Sequence, residues 1–133
     1  MPGTYEDLTV WQKSVALALL VYAITKTFPR DEMYGLTSQV RRASVSIASN
    51  IAEGKGRASD PELLKFLSNA RGSLYELRTQ FVIAEAQGYV SIENYKKVSA
   101  AIEEVGRLLN GLMTAVRARV EAAAKSRTRK ANT

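Results

Sequence analysis

Apolar residues recur with a helical period in four stretches of the chain, and nowhere do apolar and polar residues alternate as a half-buried strand requires. The first stretch runs from about Thr4 to Thr27 and ends at Phe28-Pro29. It carries Leu8, Trp11, Val15, Leu19 and Tyr22 at spacings of three and four. The second starts near Tyr34-Gly35-Leu36 and stops at Gly54-Lys55-Gly56, with a stripe of Leu36, Val40, Ala43, Ile47 and Ile51. Asp60-Pro61-Glu62 opens a third, with Asp60 as N-cap and Pro61 at the first helical position, where its missing N–H costs nothing. Leu63, Leu67, Ala70, Leu74, Leu77, Phe81 and Ala84 then form a heptad seam that lasts until Gly88. Ser91 caps the fourth, whose seam is Val98, Ile102, Val105, Leu109, Leu112, Val116 and Val120.

The links between these helices are short, and short links force antiparallel neighbours. The pattern therefore predicts an all-α fold, an antiparallel up-down-up-down four-helix bundle over residues 1–120, with helices of roughly 30 to 45 Å. Residues 121–133 read as a basic, disordered tail, because the end from Lys125 onward has no apolar residue but Ala131 to repay ordering. The run Val15 to Ile24 is apolar on every side, which a helix at the rim of a small bundle could not hide from water. A second buried face, and hence association of copies, is implied.

Composition narrows the chemistry. The 133 residues are 46% apolar, enough for one core, and contain neither Cys nor His. This excludes disulfides, thiolate or imidazole metal sites and Ser-His relays, so no catalytic residue, metal or cofactor is expected and the chain reads as non-enzymatic. Of the net charge of +6, the segment 117–133 supplies +5, through Arg117, Arg119, Lys125, Arg127, Arg129 and Lys130 against Glu121. The start has no basic region followed by an apolar one, and no run is long enough to span a bilayer. A cytoplasmic protein with no membrane partner is expected.

Two sets of polar residues are candidate sites. On helix 2, Gln39, Arg42, Ser46, Asn50 and Glu53 line one stripe. It reads either as a surface for a partner or nucleic acid, or as a hydrogen-bond network between helices or subunits, with Trp11 taken as core or interface. The second set is basic: Arg41, the freer of the tandem Arg41-Arg42; Lys55 and Arg57 beside the helix 3 N-terminus; Arg71 and Arg78 on one face of helix 3; and Arg127, Arg129 and Lys130 in the tail. Aromatic residues are not interleaved with basic ones as in single-strand platforms, so phosphate contact is expected rather than base readout.

From Tyr5 to about Val116 the chain resembles the small bacterial four-helix bundle proteins encoded in the intervening sequences of large-subunit ribosomal RNA genes. The resemblance rests on Leu8, Val10-Trp11-Gln12, Phe28-Pro29, Glu32, Tyr34-Gly35-Leu36, Gln39, Arg41-Arg42-Ala43, Ser46-Ile47 and Asn50-Ile51-Ala52-Glu53-Gly54. It continues through Arg57, Phe66-Leu67, Ala70, Gly72-Ser73, Glu76-Leu77, Gln80 and Gly88-Tyr89. It implies a ring-like homo-oligomer, a pentamer, and a relation to accessory proteins of diversity-generating retroelements, which bind nucleic acid and a reverse transcriptase. The chain departs from that pattern in Arg78, where an acidic residue is expected, and in its long basic tail. Two functions are expected to compete: an oligomeric bundle that binds nucleic acid, RNA foremost, through phosphates, and a scaffold that engages only protein.

Overall fold

A computed structural model of the chain describes residues 4–132, so the first three residues of the expected bundle and the last residue of the expected tail lie outside the described residues. It contains α1 (Thr9–Thr25), α2 (Leu36–Lys55), α3 (Asp60–Ala86) and α4 (Ile92–Ala131), with 3-10 turns at Tyr5–Asp7 and Arg30–Glu32 and, among the described residues, no strand. The four form a bundle in which α1 packs on α2, α2 on α3, α3 on α4 and α4 on α1. The α1/α2 side and the α3/α4 side are therefore opposite faces of the molecule.

The seams of α2 and α3 bury as their periodicity predicts, except that Leu36, at the start of α2, is half-buried against the core. Val40, Ala43, Ile47 and Ile51 meet Leu63, Leu67, Ala70, Leu74, Leu77, Phe81 and Ala84 in one continuous core. Gly54 lets α2 and α3 come together at this level: a Cβ there would lie 2.8 Å from the Phe66 Cβ. In α4 the buried row is Val98, Ile102, Val105, Leu109, Met113 and Val116. Met113 replaces the expected Leu112, because a nearly straight helix of 3.6 residues per turn drifts off a strict seven-residue repeat.

The α1–α2 junction and the end of α3 are tied together. Phe28 packs edge-on to Phe81 at 6.2 Å and against Tyr89 at 5.8 Å. Glu32 receives the Leu36 N–H at 3.1 Å on one carboxylate oxygen and the Tyr89 hydroxyl at 3.0 Å on the other, so it caps α2 and anchors the α3–α4 turn. That hydrogen bond also raises the Tyr89 hydroxyl pKa. The turn closes on Gly88 at φ +76°, with the Gly88 N–H to Glu85 and the Tyr89 N–H to Ala84, the double bond of a Schellman cap.

Three boundaries differ from expectation. First, α1 begins at Thr9, after a 3-10 turn. Its core face is Val10, Ser14, Leu17, Val21, Ile24 and Thr25, while the stripe that marked it in the sequence turns outward. Second, the N-cap of α3 is Ser59, whose hydroxyl accepts from the Glu62 N–H, and Asp60 is already helical. Third, the segment expected to be a disordered tail continues α4 to Ala131. No Gly or Pro interrupts it, and Ala, Lys and Arg favour the helix. At 40 residues α4 is about 60 Å long, beyond the expected range.

Candidate nucleic-acid interface

On the α3/α4 face the basic residues and a groove coincide. The groove, about 310 Å³, has Leu74, Tyr75 and Arg78 of α3 on one side and Ile102, Glu103, Gly106, Arg107 and Asn110 of α4 on the other. Arg71 stands one turn before Tyr75 on the same face of α3, as its seven-residue spacing from Arg78 predicts. Among the described residues none of Arg71, Arg78 and Arg107 makes an ion pair, and Glu103 is the one carboxylate lining the groove. The local charge is positive and available to an anion. Arg107, Tyr75 and Asn110 were not among the sequence candidates: only the packing of α4 on α3 brings Arg107 and Asn110 to Arg78, whereas Tyr75 already shares its face of α3 by spacing.

The other predicted cations are placed differently. Arg41 is not the freer of its pair. It is half-buried, donates from Nε to the Thr25 hydroxyl at 2.9 Å and lies 4.8 Å above the Tyr22 ring, holding α2 to α1. Arg42 is the exposed one. Arg57 stacks 4.8 Å over the Phe66 ring, with Glu53 at 4.0 Å, and Lys55 is exposed at the end of α2. The α3 N-terminus beside them already carries the Ser59 cap, Asp60 and Glu62, so its positive dipole end is answered from within the chain.

Asp60 is held by Arg119, one of the cations of the basic segment 117–133. The guanidinium donates two bonds, Nε at 3.0 Å and Nη2 at 3.1 Å, one to each carboxylate oxygen. This fixes α4 against the start of α3 and lowers the Asp60 pKa. Folding thus favours the ionised carboxylate. The contribution is complete above the ordinary carboxylate range of about 4 and is lost as pH falls through the lowered folded value. The difference in melting temperature between the wild type and Asp60→Asn should be widest above about pH 5 and narrow as pH falls below the ordinary carboxylate range; a gap that stays constant on acidification would remove the pair from the stability of the bundle.

Beyond Arg119, α4 overhangs the bundle. Residues 120–131 reach about 18 Å further and carry Lys125, Arg127, Arg129 and Lys130, all exposed.

The polar stripe of α2 follows the α2/α3 groove. The Ser46 and Ser73 hydroxyls are bonded at 2.9 Å, and the Asn50 amide donates to the Ser46 carbonyl and hydroxyl. Gln39, Arg42 and Glu53 lie exposed along the same stripe. The outward stripe of α1 forms a different surface. Trp11, Val15, Leu19 and Tyr22 line an apolar groove of about 480 Å³ with Tyr5 and with Val45, Ala48 and Ala52 of α2. Leu19 is 67% exposed there and Val45 44%, while Trp11, expected in the core, is half-buried with its ring edge-on to Tyr5 at 5.2 Å.

Among the described residues no helix is long and apolar enough to cross a membrane. No curated protein matches the chain. A crystal structure from Bacteroides thetaiotaomicron, described as a protein with unknown function from the S23 ribosomal protein family, matches with a TM-score of 0.74 at 21% identity, over 79% of this chain and 98% of that one. At that identity the likeness shows the fold, a four-helix bundle. The sequence of residues 6–111, which contains the cores of α1, α2 and α3, the first part of α4 and the Glu32–Tyr89 tie, matches the family described as 23S rRNA-intervening sequence protein. The chain belongs to that family.

Proposed function

We propose that copies of this antiparallel bundle associate through the apolar α1/α2 groove into a homo-oligomeric ring, five-membered as the resemblance implies. The outward α3/α4 faces then bind nucleic acid, RNA foremost, through phosphates and without a catalytic step. The observation that carries this reading is the opposition of two surfaces: an apolar groove on one side of the molecule and unpaired Arg78 and Arg107 on the other. Association on the first leaves the second free. A modest basic patch repeated around a ring gains effective concentration without any single strong site.

The test is a fluorescence anisotropy titration with a structured RNA over a range of salt, beside a light-scattering mass. A multiple of the chain mass is expected, with affinity falling linearly in the logarithm of salt concentration as phosphate counterions are released. Absence of binding at about 50 mM salt would overturn the nucleic-acid reading, and a single-chain mass at micromolar concentration with full helicity would overturn the ring. The size of the apolar groove favours a second reading, a scaffold that engages protein alone. Partners that survive nuclease treatment and do not depend on the α4 overhang would establish it instead.

A further inference from the structure

The basic groove contains an aromatic ring that phosphate binding alone leaves without a use. Tyr75 is 58% exposed and lines the groove between Arg71 and Arg78 on its own helix, facing Arg107 and Asn110 on α4. Other tyrosine rings are engaged: Tyr5 against Trp11, Tyr22 beneath Arg41, Tyr89 against Phe28. Among the described residues Tyr75 has no ring or cation partner, and the hydrogen bond at its position is one its backbone carbonyl accepts from Thr79. Across the groove, Gly106 adds no side chain to the α4 wall; a Cβ there would lie 3.5 Å from the Leu74 Cδ2, which also lines the groove. The groove is therefore an aromatic face flanked by unpaired guanidiniums, with room for about one nucleotide.

We infer that this groove is a single-strand site, in which an unpaired base stacks on Tyr75 while Arg78 and Arg107 hold the adjoining phosphates. Bases within a duplex have their faces covered by their neighbours and present only edges, so a ring set into a groove wall can be used only by a base that has left the stack. Stacking on an aromatic side chain tolerates every base, and the guanidiniums track the backbone; together these discriminate strandedness rather than sequence. Asn110 adds an amide that can donate to or accept from a base edge or a ribose hydroxyl. This inference rests on the nucleic-acid reading above and names the form of the ligand. It also reverses the expectation that no aromatic is interleaved with basic residues, because Arg71, Tyr75 and Arg78 are interleaved at helical spacing.

The test compares the full chain with Tyr75→Leu and Tyr75→Phe, each checked for helicity. Labelled 12-mer oligoadenylate, its deoxy counterpart and a blunt RNA hairpin, its strands joined by a non-nucleotide linker so that every base is paired, are titrated at about 50 mM salt. Tyr75→Leu should weaken both single strands about tenfold and leave the hairpin unchanged, with Tyr75→Phe near wild type. Ribose and deoxyribose strands that weaken alike assign the effect to stacking, and a larger loss for the ribose strand adds the 2′-hydroxyl to the site. Equal loss on single strand and hairpin, or no loss on either, would overturn the single-strand site while leaving phosphate binding standing. Failure of wild type to bind all three would overturn both.

Discussion

Replacing Arg78 and Arg107 together by glutamate should lower affinity for a single-stranded oligonucleotide by about a hundredfold or more at low salt and flatten its salt dependence. The two side chains come from different helices, line one groove and have no acidic partner. Each phosphate contact on a single strand contributes about 0.7 to the slope of log affinity against log salt, so losing both reduces the slope by about 1.4 for every groove engaged. Arg41→Gln is the matched control. Its charge is committed to Thr25 and Tyr22, so it should cost stability while leaving the salt slope alone. A double variant with an unchanged slope would move the phosphate contacts elsewhere on the protein.

Phe81→Ala should destabilise the bundle by about 3–5 kcal/mol, a large share of the roughly 5–15 kcal/mol that holds a domain folded. Phe81 is 1% exposed and meets Phe28, so its removal opens a cavity where the end of α1, the end of α3 and the α3–α4 turn converge. Urea unfolding followed by circular dichroism measures the shift. Tyr89→Phe, at the same place, deletes only the hydroxyl that Glu32 accepts and should cost about 1 kcal/mol. If the alanine variant lost no more than this, the aromatic cluster would not be the keystone of that end.

The elements that could be read from the chain were those whose periodicity had a single solution. The α3 seam repeats at strict four-three spacing with no competing stripe of equal length, and every residue of it buries as predicted. In α1 two apolar stripes compete, and the chain alone does not say which one faces the core. Leu19 and Tyr22 have the right spacing yet lie outside, while Leu17 and Val21, interleaved with them, lie inside. Ser59 and Asp60 are both good caps in adjacent positions, and the choice turned on Asp60 having a partner 59 residues away. The basic groove was half legible. Arg71 and Arg78 share a face by spacing, but Arg107 looks like any solvated helix charge until α4 is laid beside α3. Arg41 shows the opposite failure, a charge that reads as free and is held by a residue 16 positions earlier.

The Arg119–Asp60 clasp leaves the last three turns of α4 without a neighbouring helix. In an assembly whose copies are related by rotation about one axis, with α4 running along that axis, those ends emerge in the same direction. Such a particle has a front and a back: a fringe of positive rods at one pole and none at the other. A polyanion would meet it end-on before it met the flanks, which turns a collection of equivalent subunits into an object that can tell the two sides of a surface apart.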